Sequence, residues 1–122
     1  MFGCGGNRDK LKRPIMGRLA EGLCDEVYLT SDNPRFEKPL DIIDEIEKGM
    51  EKNNHQIFEK REDAIFKAIS DCKEGDCLVI AGKGGEKYQD IEGIKNSYDD
   101  FEQVQKSIEI LSRKEKGRRY EN

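Results

Sequence analysis

Cys77-Leu78-Val79-Ile80-Ala81 is an unbroken apolar run, bounded by the turn Lys73-Glu74-Gly75-Asp76 on one side and by Gly82-Lys83-Gly84-Gly85 on the other. Five apolar residues without polar alternation predict a strand covered on both faces, as in the centre of a parallel sheet flanked by helices. The sequence upstream supplies those helices. Arg61 to Cys72 places Ala64, Ile65, Ala68, Ile69 and Cys72 on one helical stripe, and Pro39 opens a helix whose buried face is Ile42, Ile43 and Ile46. Pro14 opens another, with Ile15, Met16, Leu19, Ala20 and Leu23 at helical spacing against the core.

Between these helices lie further strand patterns. Glu26 to Thr30 reads as one strand and Gln56 to Glu59 as a shorter one, while Tyr88 to Ile94 reads as an edge strand or hairpin turning at Gly93. Met1-Phe2-Gly3-Cys4-Gly5-Gly6 reads as the last residues of a first strand, most of it absent, entering a glycine loop. A final helix, capped by Asp99 or Asp100, turns Phe101, Val104, Ile108 and Leu111 inward. Alternating strands and helices predict an α/β fold, with a mostly parallel sheet and helices on both faces. Residues 1–112 form the domain and 113–122 a charged tail.

Bulk composition narrows the function classes. One domain fits 122 residues, and 39% charged against 34% hydrophobic residues describes a folded core under a heavily charged surface. Twenty-two basic and 26 acidic residues give a net charge of −4 without long runs of one sign, which speaks against a nucleic-acid surface. No apolar stretch is long enough to span a membrane and no signal pattern opens the chain, so a cytoplasmic protein is expected. Cys4, Cys24, Cys72 and Cys77 lack zinc spacing and read as reduced, buried thiols. The single histidine, His55, is expected in an exposed loop, with no cluster around it to hold a metal.

The chemistry concentrates in three loops that follow strands, where open α/β sheets bind ligands. Gly5-Gly6-Asn7-Arg8-Asp9-Lys10-Leu11-Lys12-Arg13 has a flexible backbone and alternating charge, suited to an anionic or zwitterionic group. Thr30-Ser31-Asp32-Asn33-Pro34-Arg35 packs an acid, an amide, a rigid residue and a guanidinium into six positions. Gly82-Lys83-Gly84-Gly85-Glu86 lacks the spacing of a nucleotide phosphate loop and offers an ammonium-binding carboxylate instead. The three loops are expected to converge at one edge of the sheet.

Read together, Phe-Gly-Cys-Gly-Gly-Asn-Arg-Asp at 2–9, Lys-Arg-Pro-Ile-Met-Gly at 12–17, Thr-Ser-Asp-Asn-Pro-Arg at 30–35 and Ala-Gly-Lys-Gly-Gly-Glu-Lys-Tyr-Gln at 81–89 resemble the C-terminal domain of the Mur ligases. The resemblance runs in order over roughly residues 1–112. It implies a Rossmann-like three-layer sandwich, here with its first strand truncated, from a three-domain enzyme of peptidoglycan synthesis. In that enzyme ATP, with Mg, activates a carboxylate of UDP-N-acetylmuramoyl-L-alanyl-D-glutamate, and the amine of an incoming amino acid forms the amide. The Asp-Asn-Pro-Arg form of the second loop implies the branch that adds meso-diaminopimelate.

Carried onto this sequence, the resemblance makes Arg8, Asp32, Asn33, Pro34, Arg35, Gly82 and Glu86 substrate-binding residues, with Lys12 near the nucleotide. It supplies no catalytic or metal-ligating residue here. A guanidinium such as Arg35 binds the distal carboxylate, which distinguishes meso-diaminopimelate from lysine, through paired charge-assisted hydrogen bonds. Asp32 and Glu86 suit ammonium groups. The family usually has Asp at position 7 and His at position 85, where this chain has Asn7 and Gly85. The ATPase and UDP-substrate domains, in cis or in trans, are implied partners, and this domain alone is expected to bind no ATP and to be inactive. The alternatives are a stand-alone, non-catalytic amino-acid-binding or docking module, and a decayed remnant.

Overall fold

The computed structural model describes residues 1–120, so Glu121 and Asn122 of the expected tail lie outside the described residues. Among the described residues, four helices and four strands follow in the order α1 (Lys12–Leu23), β1 (Val27–Leu29), α2 (Pro39–Glu47), β2 (His55–Ile57), α3 (Arg61–Asp71), β3 (Tyr88–Ile91), β4 (Ile94–Ser97) and α4 (Asp100–Tyr120). β1 and β2 pair in parallel, with Val27 opposite His55 and Leu29 opposite Ile57. On its other side β1 is bridged by Phe2, whose N–H donates to the Tyr28 carbonyl (3.0 Å) and whose carbonyl accepts from Thr30 (3.0 Å). Met1 extends the arrangement. Its amine donates to the Val79 carbonyl (2.9 Å) and its carbonyl accepts from the Ala81 N–H (3.0 Å), the slanted bonding of a parallel pair.

Cys77 to Ala81 therefore lies at an edge, although its apolar run predicts a central strand. Among the described residues its backbone pairs with Met1 alone, too little for a ladder, and Val79 remains 64% exposed. The two-sided cover belongs to β1. Val27 and Leu29 pack with Cys4, Ile42, Ile43 and Ile46 on the α1/α2 side, joined by Phe2, Ala20 and Met50. Tyr28 points to the other face, where its ring stacks on Phe58 and its hydroxyl donates to Asp71 of α3 (2.6 Å). There α3 buries Ala64, Ile65 and Ala68. Burial and the Asp71 bond together push the Tyr28 phenol well above its ordinary range.

α1 departs most from its sequence pattern. Its buried residues are Arg13, Gly17 and Glu21, four apart, whereas Ile15, Met16, Leu19 and Leu23 are exposed, the last at 84%. Close backbone approach explains the reversal. A Cβ on Gly17 would collide with the Ile46 carbonyl of α2, so the helices touch where the side chain is missing. The flanking charges are buried because each is paired, although Arg13 Nε has no partner among the described residues. Glu21 accepts the N–H groups of Glu51 (2.9 Å) and Lys52 (3.0 Å), and Arg13 binds Glu37, Glu45 and the Gly5 carbonyl.

Other expectations shift by smaller amounts. Asp99 caps α4 by accepting the Phe101 N–H (3.0 Å), but Phe101 and Ile108 face outward, and it is Ser107 that is buried. The helix continues to Tyr120, past Arg113 where its apolar pattern fades, and Lys114 reaches back over the Phe66 ring of α3 (5.6 Å). His55 is no loop residue. It opens β2, with Nε2 2.7 Å from Glu47. The four thiols are free, but only Cys4 is buried; Cys24, Cys72 and Cys77 are exposed because they sit at element ends rather than inside them.

One buried side chain ties these pieces together. Arg61 donates through Nε and Nη2 to both carboxylate oxygens of Asp100 (2.8 Å each), through Nη2 to the Ala81 carbonyl (3.1 Å) and through Nη1 to the Ser31 carbonyl (3.3 Å). Tyr98 adds its hydroxyl to Asp100 (2.8 Å). Burial alone would raise the Asp100 carboxyl, but the guanidinium outweighs it and holds the group below its usual range. Replacing Arg61 by methionine leaves that carboxylate without its partner. Urea denaturation is expected to show a loss of about 3–5 kcal/mol, and a loss below about 1 kcal/mol would contradict this account.

Candidate functional site

The first loop, residues 3–11, lies across the second through its glycines. A Cβ on Gly3 would collide with the Thr30 carbonyl, and one on Gly6 with that of Pro34. Gly6 donates to the Asn33 carbonyl (2.7 Å) and accepts from Arg35 Nη1 (2.9 Å). Asn7 takes φ +53°, a conformation asparagine tolerates. Its N–H donates to Glu37 (2.6 Å) and its side-chain oxygen accepts the Phe36 N–H (3.2 Å), a contact an aspartate oxygen could equally make.

The second loop, residues 30–38, is clamped by the hairpin of β3 and β4. The Arg35 N–H donates to the Asp90 carbonyl (2.9 Å) and the Arg35 carbonyl accepts from Glu92 (2.7 Å), fixing Arg35 at φ +52°. Gln89 donates to the Asp32 carbonyl (2.9 Å). Asn33 is buried with its amide committed: Oδ1 accepts from Asp90 N–H (2.9 Å) and Lys83 (3.1 Å), and Nδ2 donates to Glu86 (2.6 Å).

Six residues singled out from the sequence thus converge: Asp32, Asn33, Pro34, Arg35, Gly82 and Glu86. Gly82, at φ +114°, sits so that a Cβ would lie 3.5 Å from Asp32 Oδ2. Arg8 joins them through Gly5, where a Cβ would lie 2.8 Å from Arg35 Nη1 and 3.3 Å from Arg8 Cγ. Lys12 stays apart, exposed on the first turn of α1 with no ion pair among the described residues. The carboxyl of Glu86 is held below its ordinary range, first by the Asn33 amide and then by Lys83. It is therefore an anion at neutral pH, as an ammonium receptor requires.

Arg35 is the group with capacity to spare. Nη1 is used by Gly6 and, at 3.4 Å, by the Asn33 carbonyl, whereas Nε and Nη2 have no partner among the described residues. That open edge has the geometry of a carboxylate receptor. Lys83 of the glycine loop is buried against Asp32 and Glu86, and no group of three His, Cys, Asp or Glu could hold an ion among the described residues.

Sequence reasoning passed over three contributors: Lys83, Arg13 and Glu37. Lys83 offered one local signal, a lysine between glycines three residues before Glu86. Arg13 and Glu37 offered none, because their pairing spans 24 residues. Glu37 takes both Arg13 nitrogens (3.0 and 2.8 Å), and this, against the opposing effect of burial, lowers its carboxyl to about 2.

Fold and loops together define a small α/β domain whose three loops meet at the carboxyl ends of parallel strands, with the Asp32 and Glu86 carboxylates and the open edge of Arg35 gathered there. The sequence profile of the Mur ligase, glutamate ligase domain matches residues 1–84, and the chain belongs to that family. Its relatives include proteins named UDP-N-acetylmuramoyl-L-alanyl-D-glutamate--2,6-diaminopimelate ligase. That of Chlorobaculum tepidum is 52% identical over 102 residues, covering 84% of this chain and 20% of the relative. That of Leptospira interrogans is 50% identical over 113 residues, covering 91% and 22%. A solved structure of an enzyme with this name superposes with a TM-score of 0.86 at 39% identity, covering 91% of this chain and 23% of that one. The fold is thus the Rossmann-like one of these ligases, and the chain spans about a fifth of their length.

Gly6→Ala forces the first two loops apart and is expected to cost about 1–3 kcal/mol, whereas Gly85→His, with open space where its Cβ would stand, should leave the denaturation midpoint unchanged. Glu37 sets an acid limb. Because its folded value lies below the ordinary 4.5, its contribution is complete above about pH 4.5 and is lost as pH falls through about 2. A stability profile of Glu37→Gln should be flatter than that of the parent chain across this interval.

Proposed function

We propose that this chain is the amino-acid-recognition domain of a ligase that adds meso-diaminopimelate to UDP-N-acetylmuramoyl-L-alanyl-D-glutamate. The observation that carries the reading is the unpaired Nε/Nη2 edge of Arg35, held beside Arg8 and across the loops from the ionised Glu86. meso-Diaminopimelate has a carboxylate and an ammonium at each end, and lysine lacks the distal carboxylate. Arg35, aided by Arg8, takes a carboxylate; Glu86 and Asp32 take ammonium groups; Gly82 lets the backbone come close. Asn33 and Pro34 shape the loop that holds Arg35. A site built to pair the second carboxylate rejects lysine by leaving its guanidinium unmatched.

In this reading ATP and Mg are bound by the ATPase domain, which supplies the activated acceptor, and the UDP-substrate domain completes the enzyme, in cis or in trans. Lys12 faces the nucleotide when the domains close. The chain contributes recognition and orientation of the amine, works in the cytoplasm where the nucleotide-linked precursor is made, and needs neither nucleic acid nor membrane. No described helix is long and apolar enough to cross a membrane.

Calorimetry with the 122-residue chain should show meso-diaminopimelate binding at least about tenfold more tightly than L-lysine, a difference near 1.4 kcal/mol, and Arg35→Ala should abolish the difference. Equal binding of the two amino acids by the parent chain would sink the reading. Tripeptide product formed by this chain alone from ATP, the nucleotide-linked dipeptide and meso-diaminopimelate, followed by mass spectrometry, would overturn the statement that chemistry needs the other domains. Selective binding without product, even when those domains are added, would favour a stand-alone binding module.

A further inference from the structure

We propose that Lys83 is a positioning residue: buried beneath the site, its ammonium orients the Asn33 amide and sets Asp32 and Glu86 side by side, without itself touching the amino acid. This rests on the reading of the three loops as an amino-acid site. Lysine is almost never fully buried unless paired, and the Lys83 side chain is 0% exposed. Its Nζ lies 2.7 Å from the Tyr88 carbonyl, 3.1 Å from Asn33 Oδ1 and 3.2 Å from Glu86 Oε1. An ammonium has three protons, and these three acceptors use them. A fourth neighbour, Asp32 Oδ1 at 2.9 Å, is held as an ion pair and accepts no hydrogen bond. The rings of Tyr88 and Tyr98, at 6.0 and 5.8 Å, line the rest of the ammonium's surroundings.

Four oxygens from three segments meet on one cation, three as hydrogen-bond acceptors and one as an ion-pair partner. Asp32 and Asn33 belong to the second loop, Glu86 to the third, and Tyr88 to β3. Two carboxylates drawn together in a half-buried site repel unless a cation stands between them. Lys83 stands there, so both remain available to a ligand ammonium. It also decides which way the Asn33 amide faces. With Oδ1 turned to Lys83 and the Asp90 N–H, Nδ2 must face Glu86.

The test compares the isotopically labelled 122-residue chain with its Lys83→Met variant by NMR and calorimetry. In Lys83→Met the Asn33 side-chain amide should exchange faster, the Glu86 carboxyl should titrate at higher pH, and affinity for meso-diaminopimelate should fall at least tenfold, while signals of Ala64 and Ile65 in α3 stay in place. Unchanged Asn33 and Glu86 signals, or undiminished affinity, would overturn the proposal. Should the variant fail to fold, the ammonium resonance of Lys83 in the parent chain decides: slow exchange and a shift on saturation with meso-diaminopimelate support it. Exchange as fast as that of exposed lysines, or no response, refutes it. Failure of the parent chain to bind meso-diaminopimelate would instead remove the functional reading, and the Asn33 and Glu86 signals would still report separately on what Lys83 holds.

Discussion

Everything at the carboxyl edge of the sheet depends on the Arg61–Asp100 pair. Ser31 opens the second loop, Ala81 precedes the third, and Asp100 begins the last helix; these points are far apart in sequence, and one guanidinium bonds to all three. A buried ion pair adds little net stability against a well-packed apolar substitute, because desolvation offsets most of the attraction. Its value here is geometric. Guanidinium nitrogens leave in fixed directions, so two carbonyls and a carboxylate that satisfy them can occupy one arrangement. Apolar packing at this position would tolerate a sliding of loops that a ligand site cannot.

The same device recurs twice. Arg13 binds Glu37, Glu45 and the Gly5 carbonyl and so locks the first loop to the second, and Lys83 joins the second to the third. Three buried cations therefore fix three loop contacts, in a protein whose side chains are only 34% hydrophobic. The apolar core is correspondingly local, built around Val27, Leu29 and the isoleucines of α2. It holds the strands while charge sets the loops.

This division explains what the sequence could and could not tell. Turn chemistry is local, so Gly3, Gly6, Gly82 and the Asp-Asn-Pro-Arg motif announced the loops and their convergence. The α2 face and the start of that helix at Pro39 were equally plain, because an isoleucine stripe meets an apolar sheet. α1 was illegible because its apolar stripe is not the buried one: Gly17 brings its backbone against α2 and turns Ile15, Leu19 and Leu23 outward. Cys77 to Ala81 misled for a related reason: composition tells that a strand is apolar but not how many neighbours it has. Buried cations were invisible, since an arginine or lysine in sequence looks solvated until its distant partners are placed.

Asn33 shows a further consequence of the second loop's chemistry. Its amide donates to Glu86 at 2.6 Å, a distance at which a second carboxylate would be strongly repelled. Asparagine ages into aspartate when the next residue's backbone nitrogen, stripped of its proton, closes a ring onto the side chain. Pro34 has no such proton to lose. The residue that stiffens the loop therefore also closes the ordinary route of deamidation at the position where a new negative charge would do the most harm, and it gives the site a chemical durability that packing alone could not provide.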